Sequence, residues 1–344
     1  MDKTIEINNL SKEYKVLNRK EGFKGAILNL FSKDYKYIKA INNVSMEIFS
    51  GEILGILGRN GAGKSTLIKM MTGVLKPSAG ALSINGNTPF KNRKQHALNI
   101  GIVFGQRSQL WWSLPCIESF KIIKEIYSIN DDVYEENMNF FNELIPLNEL
   151  MNKPVRLMSL GQRVLCDILA SFLHNPKIVF LDEPTIGLDI DVKDKIHKLI
   201  LSLNSKKKTT VILTTHDMGD VDAICKRIVI IDNGEKIYDD KIYKLKKYFG
   251  PNKTLLAHIN SNKIRDDSVV ITNIKKLIDK HIQLIDYLSV ECNNRWIKIV
   301  VDENQISVLK VLNLIQKEFD IDKIEIKEIS TESVIKKIYE GKCL

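Results

Sequence analysis

Gly58-Arg59-Asn60-Gly61-Ala62-Gly63-Lys64-Ser65 follows the short apolar run Ile53-Leu54-Gly55-Ile56-Leu57 and opens a helical pattern, Leu67 to Met71. The pattern G-x-x-x-x-G-K-[ST], directly after a strand and at the start of a helix, has the context a phosphate-binding loop requires. Its glycines let the backbone wrap close around phosphate oxygens, because no Cβ blocks the approach. The loop N–H groups and the helix N-terminus then present positive potential to an anion. On this reading residues Gly58, Arg59, Asn60, Gly61, Ala62, Gly63, Lys64, Ser65 and Thr66 cradle the phosphates. Lys64 reaches the β- and γ-phosphates, and the Ser65 hydroxyl ligates Mg2+.

A second apolar run, Ile178-Val179-Phe180-Leu181, ends in Asp182. A carboxylate closing a buried strand is costly unless its charge is compensated. Hydrated Mg2+ beside the phosphate loop would compensate it, the Walker B role. Glu183 follows, placed to orient and polarise an attacking water as general base. Thr210 to Thr215 is a third short apolar run, as expected for strands buried on both faces. Ile228–Asp232 and Glu235–Tyr238, joined at Asn233-Gly234, read as a hairpin with a tight primed turn. From Ile5 to about Tyr238 strand and helix patterns alternate, which predicts an α/β domain over residues 1–240 with a largely parallel sheet. Between Leu110 and Leu173 the pattern turns helical, predicting an inserted helical subdomain at about 107–173.

The chain has 344 residues, 44% of them hydrophobic and 27% charged, enough for about two domains with a sizeable core. Its apolar runs are strand length, far short of the roughly 18–20 residues a membrane span needs. Met1 to Glu6 alternates polar and apolar residues without an apolar signal core. The expectation is a peripheral protein on the cytoplasmic face of the cell membrane, with any membrane role exercised through a partner. The five cysteines are scattered, with no C-x-x-C pair, and read as reduced packing residues. The net charge of +9 admits nucleic acid or an anionic surface. No helix carries a dense basic face interleaved with aromatics, so no nucleic-acid partner is expected.

After a break near Phe249-Gly250-Pro251-Asn252 the pattern reads strand, helix, strand, strand, helix, strand, then a last helix (Ser333–Tyr339). That βαββαβ order predicts a small α+β, ferredoxin-like accessory domain over 250–344. It holds no catalytic constellation, and His258 and His281 lack metal-like spacing.

The remaining motifs narrow the phosphate-loop class. Met158-Ser159-Leu160-Gly161-Gln162-Arg163 resembles the signature Leu-Ser-Gly-Gly-Gln of ATP-binding-cassette (ABC) proteins. Asp182 through Asp189 resembles their run from Walker B into the D-loop, and Val211 through Asp217 their switch-histidine strand at His216. Ile100-Gly101-Ile102-Val103-Phe104-Gly105-Gln106 resembles the Q-loop, and Tyr14 the aromatic that stacks on adenine. These elements stand in the family order, and the fold the resemblance implies is an α/β P-loop cassette with its helical subdomain.

The resemblance implies ATP and Mg2+ as cofactors and a pair of cassettes, homodimer or heterodimer, closing head to tail. Each nucleotide then lies between one phosphate loop and the other chain's Ser159, Gly161 and Gln162. Glu183, His216 and Gln106 become the catalytic set, with Ser65, Gln106 and Asp182 toward the metal and Asp189 at the interface. Two positions depart from the family. Leu160 replaces a signature glycine, and Gly105 is an extra residue that leaves Gln106 and Gln109 both near the site, Gln106 being favoured.

A single phosphate loop and the lack of sustained heptads disfavour translation and repair members of the family. Transport remains, with a separate transmembrane permease as partner. Val103 through Pro115 and the ending Ile338-Tyr339-Glu340-Gly341 resemble ATPases of the ABC-2 exporter group. The competing reading is a soluble ABC ATPase acting on ribosomes or nucleic acid, which charge alone favours. Trp111-Trp112 either lines the permease docking groove or has one or both rings packed inside the helical subdomain. Arg19 to Lys39, with six basic and two acidic residues, is either an amphipathic element at the membrane or permease or a loop folded on its own cassette.

Overall fold

The computed structural model describes residues 2–18, 35–105, 107–248, 252–260, 267–282, 289–303, 306–328, 334–335 and 338. Gln106, most of the segment from Arg19 to Lys39 and most of the last expected helix lie outside the described residues. The chain divides into two compact units, Met1–Lys241 and Ile242–Leu344.

The first unit is built on a six-stranded sheet. Its strands are β3 (Ile53–Leu57), β5 (Ile100–Phe104), β6 (Ile178–Asp182), β7 (Thr210–Thr215), β8 (Arg227–Asp232) and β9 (Glu235–Lys241). They lie in the order β5-β6-β7-β3-β8-β9, parallel except for β9 at the edge. Every residue of β3, β6 and β7 is buried, which is why these segments read as unbroken apolar runs. The strands end in register, so Leu57, Thr215 and Asp182 meet at one edge of the sheet. In open parallel sheets that carboxyl edge is where ligands bind.

The largely parallel sheet expected from Ile5 to Tyr238 needs one correction. β1 (Lys3–Leu17), β2 (Tyr35–Phe49) and β4 (Ala79–Ile84) form a separate antiparallel sheet in the order β2-β1-β4. One face of it is dry: Ile5, Ile7, Ile41, Val44, Ile48 and Ile84 are buried, while Glu6, Asn8 and Glu47 face out. That alternation is the signature of an antiparallel sheet covered on one side. Helix α1 (Lys64–Met71) shares a single apolar cluster with both sheets: its Leu67, Ile68, Met70 and Met71 pack with Ile5 and Ile48 and with Leu54 and Phe180. The phosphate loop is thereby fixed at the seam between two sheets.

After the short α2 (Arg93–Ala97) and β5, the chain is helical through α3 (Cys116–Ile126), α4 (Asp131–Leu144), α5 (Leu147–Met151) and α6 (Leu160–Phe172). Two further helices, α7 (Ile190–Lys207) and α8 (Met218–Ile224), flank β7 in sequence.

The second unit runs α9 (Ile242–Tyr248), β10 (Asn252–Ile259), α10 (Asp267–Ile282), β11 (Ser289–Asn293), β12 (Trp296–Asp302), α11 (Val308–Ile315) and β13 (Ile321–Glu328). Its four strands form an antiparallel sheet in the order β11-β12-β10-β13. Leu255, Ile297, Ile299 and Val301 of the sheet pack with Ile274, Ile278, Val311 and Ile315 of the helices. Among the described residues no helix is long and apolar enough to cross a membrane.

Candidate nucleotide site

The loop after β3 closes on itself before any ligand is considered. Gly63 caps α1 with φ +109°, and a Cβ there would sit 2.4 Å from the Ala40 carbonyl oxygen, so only glycine fits. The buried Lys64 side chain donates to the carbonyl of Gly58 (2.7 Å) and of Arg59 (3.3 Å). The hairpin turn between β8 and β9 braces the loop from outside. Gly234 donates to the Ala62 carbonyl (3.0 Å), and its own carbonyl accepts from the Asn42 N–H (2.8 Å). The result is a cavity of about 360 Å³ lined by every residue from Arg59 to Thr66, with Ala40, Gly105, Asp182, Glu183 and Ile186. Gly58 is not in the lining and serves through its carbonyl.

The acidic side of the cavity is set by β6 and β7. Asp182 pairs with Thr214 across the strands, and Thr214 Oγ1 donates to Asp182 Oδ1 at 2.5 Å. Ser65 Oγ lies 3.4 Å from the same carboxylate oxygen. These are hard oxygen donors converging beside a phosphate nest, and they fit Mg2+. Glu183 leaves the strand with φ +52°, a left-handed conformation uncommon outside glycine. Two bonds hold it there: its N–H reaches the Thr214 carbonyl (3.0 Å) and the Thr214 hydroxyl (3.1 Å). Backbone held in such a sparsely populated conformation often marks a working residue. Glu183 Oε1 then lies 3.4 Å from Lys64 Nζ and 3.3 Å from His216 Nδ1.

The other residues singled out from sequence lie outside that lining. Tyr14 sits half-exposed on β1, directly opposite Ile38, with Lys12 Nζ 5.5 Å above its ring. Ser159 caps α6 in a closed capping box: its hydroxyl accepts from Gln162 N–H (3.2 Å), and Gln162 Oε1 accepts from Ser159 N–H (3.1 Å). Gln162 Oε1 also takes Lys153 Nζ at 3.1 Å, so this side chain is engaged within its own chain. Gly161 is pressed against α7, where a Cβ would come within 2.5 Å of Val192 Cγ1. Leu160 is 44% exposed at the helix start and does not crowd this packing. Asp189 caps α7 by accepting from Val192 N–H at 2.9 Å.

Sequence reasoning missed several members. Ala40 comes from β2 with no local signal. Thr214, the residue that orients both acids, looks like ordinary strand composition, although a hydroxyl in a wholly buried strand needs a partner and could have raised the question. A neighbouring cavity of about 250 Å³ runs from Glu183 past Leu160 to Asp167. Asp167 is buried, and burial raises its pKa to about 6 against hydrogen bonds from the Ser108 hydroxyl and the Gln109 N–H and the nearby Arg163 charge. Neither tryptophan is buried: Trp111 is 39% and Trp112 53% exposed, and the Arg163 guanidinium stacks 4.4 Å from the Trp112 ring. Neither ring is fully packed inside the helical subdomain, Trp111 being the more covered of the two.

Comparison with known proteins decides the class. A family model described as "ABC transporter" matches residues 41–186. The ABC transporter ATP-binding protein NatA of Bacillus subtilis is 32% identical over 208 residues, 60% of this chain and 84% of that protein. The chain belongs to the ABC transporter family.

This ABC subunit is also 31% identical to the methionine import ATP-binding protein MetN 2 of Listeria monocytogenes, over 68% of this chain and 64% of that protein. It is 33% identical to the human ATP-binding cassette sub-family A member 10, of whose length it spans only 15%. The dimeric structure of MJ0796, a bacterial ABC transporter cassette, is 26% identical, with a TM-score of 0.55 over 69% of this chain and 98% of that one. An ATP-binding subunit of another ABC transporter shares the fold at TM-score 0.59 and 22% identity, over 72% of this chain and 93% of that one. The cassette is an α/β P-loop ATPase that binds and hydrolyses ATP.

Proposed function

We propose that this ABC ATPase drives an ABC-2 type exporter through a separate membrane permease. It works at the cytoplasmic face of the cell membrane as one of two cassettes, each using Mg2+. The observation that carries the permease reading is the exposed Trp111-Trp112 pair on the segment that follows β5. Adjacent solvent-facing aromatics backed by a stacked arginine suit an interface anchor. The extra Gly105 and the run to Pro115, which resemble ABC-2 ATPases, support the exporter assignment.

In this mechanism the loop from Gly58 to Thr66 binds the phosphates, and Lys64 exchanges the carbonyls of Gly58 and Arg59 for phosphate oxygens. Bound Mg2+ would neutralise charge on the β- and γ-phosphate oxygens, held by Ser65 and Asp182, with Gln106 outside the described residues. Glu183, fixed by Thr214, orients water and accepts its proton, and His216 steadies the Glu183 carboxylate. Ser159, Gly161 and Gln162 have no place in their own chain's cavity, which supports a role against the nucleotide of a second cassette, with Asp189 near that boundary. Positioning and charge neutralisation of this kind supply most of the barrier reduction in phosphoryl transfer. Tyr14 serves as the base-stacking ring. The second unit is read as a ferredoxin-like accessory domain.

A second reading, import, is favoured by the similarity to MetN 2. The test is co-purification with the permease, reconstitution into vesicles and measurement of the direction of ATP-driven transport. Accumulation of substrate on the ATP side would overturn export. ATPase activity that responds to nucleic acid and to no permease would overturn transport altogether.

A further inference from the structure

A buried acid outside the nucleotide cavity ties together the segments that carry Glu183 and His216. Asp220, in α8, is 0% exposed, and each of its oxygens is engaged. Oδ2 accepts from Thr185 Oγ1 (2.5 Å) and from Thr215 Oγ1 (2.8 Å), and Oδ1 faces His197 Nε2 at 2.8 Å. A carboxylate only accepts, so His197 Nε2 carries the proton. Burial pushes the Asp220 pKa up, but the bonds from His197, Thr185 and Thr215 outweigh it and hold the group below the usual carboxylate range.

The three donors come from three segments. Thr185 lies two residues after Glu183, Thr215 immediately precedes His216, and His197 belongs to α7, the helix that Asp189 caps. A parallel tie lies one turn away, where Lys193 of α7 forms an ion pair with Asp217. Asp217 N–H in turn donates to Thr215 Oγ1 at 2.9 Å. Both chain neighbours of His216 are therefore pinned to α7 or α8. The exposed His216 ring has Glu183 as its described side-chain partner.

Resting on the ATPase reading above, we infer that Asp220 is a positioning residue for hydrolysis: it clamps the Walker B segment, the switch strand and α7 into one unit, so that His216 meets Glu183. The clamp acts on turnover through His216 and leaves phosphate binding to the loop. Asp220→Asn leaves a single acceptor oxygen for the three donors and sets an NH2 group against His197 Nε2–H or against the hydroxyls, so the shared acceptor is broken up.

The test is a double-mutant cycle on ATP hydrolysis by the full chain. Asp220→Asn is expected to lower kcat about 10- to 100-fold, as a misplacement of the catalytic pair does, with KM for ATP unchanged within about twofold. In a His216→Ala background the same substitution should cost less than about threefold, because its route of action is already gone. A loss that multiplies in full in that background, a KM that rises in step with the fall in kcat, or a wild-type kcat would each overturn the clamp. Thr215→Val, which removes the bond to Asp220 and the one from the Asp217 N–H while leaving the acid, repeats the cycle should Asp220→Asn fail to fold. Lys64→Ala serves as the control. If it abolishes ATP binding while Asp220→Asn turns over normally, the clamp falls and the ATPase site stands. If ATP binding survives it, the site falls and the clamp with it.

Discussion

Lys64 Nζ lies 3.4 Å from Glu183 Oε1, so the cation proposed to receive the γ-phosphate faces the carboxylate proposed as general base. On the proposed mechanism phosphate and Glu183 would compete for the same ammonium, which would couple nucleotide binding to the position of the base. Glu183→Gln should therefore act in two directions at once. ATP affinity should rise, because a negative charge leaves the cavity, while turnover should fall by about 10²–10⁴-fold with the loss of the base. A fluorescent ATP analogue and phosphate release measure the two effects, and size-exclusion chromatography with ATP and magnesium should show a trapped pair.

Ser159 caps α6 and is proposed to meet the partner cassette's nucleotide, and substitution can separate the two roles. As N-cap of α6 it stabilises the helix, and Ser159→Ala should cost about 1 kcal/mol in urea unfolding. Ser159→Asp keeps the cap and should leave stability within about 0.5 kcal/mol. Its charge would stand against the partner's γ-phosphate, so hydrolysis should drop as far as for alanine. Normal hydrolysis by Ser159→Asp would remove Ser159 from the nucleotide interface.

Asp167 makes a pH prediction with a defined sign. Its folded-state pKa of about 6 exceeds the ordinary value, so the folded chain holds the proton more tightly than the unfolded chain. Stability then falls as pH rises between roughly 4 and 6 and is level above that. Asp167→Asn keeps an oxygen for the Ser108 hydroxyl and the Gln109 N–H but cannot ionise. Between pH 4.5 and 7.5 the wild type should lose about 2 kcal/mol relative to the variant, measured by urea unfolding.

The Trp112 ring stacks on Arg163 while remaining largely in solvent, so Trp112→Ala should cost the fold little, about 0.5–1 kcal/mol. ATP binding by the isolated chain should be unchanged. Replacing Trp111 and Trp112 together should abolish stimulation of hydrolysis by the permease. Retained stimulation would move the docking site elsewhere.

The parts of the fold that could be read in advance are those where burial is complete. β3, β6 and β7 are dry on both faces, so their apolar runs and the acid closing β6 stand out unaided. The antiparallel sheet was hidden because β1 carries Asn8, Asn9 and Lys12 and its pairing with β2 shifts register repeatedly, which blurs the alternation. The phosphate loop was legible because its chemistry is local. Thr214 and Asp220 were not, since each works by joining segments distant in sequence, and no spacing within either segment announces the other. Gln162 shows the opposite case: a motif residue whose contacts in this chain are those of a helix cap.

The turn at Asn233-Gly234 gives the phosphate nest a history in synthesis. Gly234 reaches back to Ala62 and Asn42, and its φ of +81° and the nearby Ala40 carbonyl exclude a side chain there. During translation the loop leaves the ribosome long before its brace, so a nascent chain ending ahead of this turn holds every phosphate-contacting residue without the strut that keeps them in place. The loop's outer brace is thus in place only once the β8–β9 hairpin has been made and has joined the sheet.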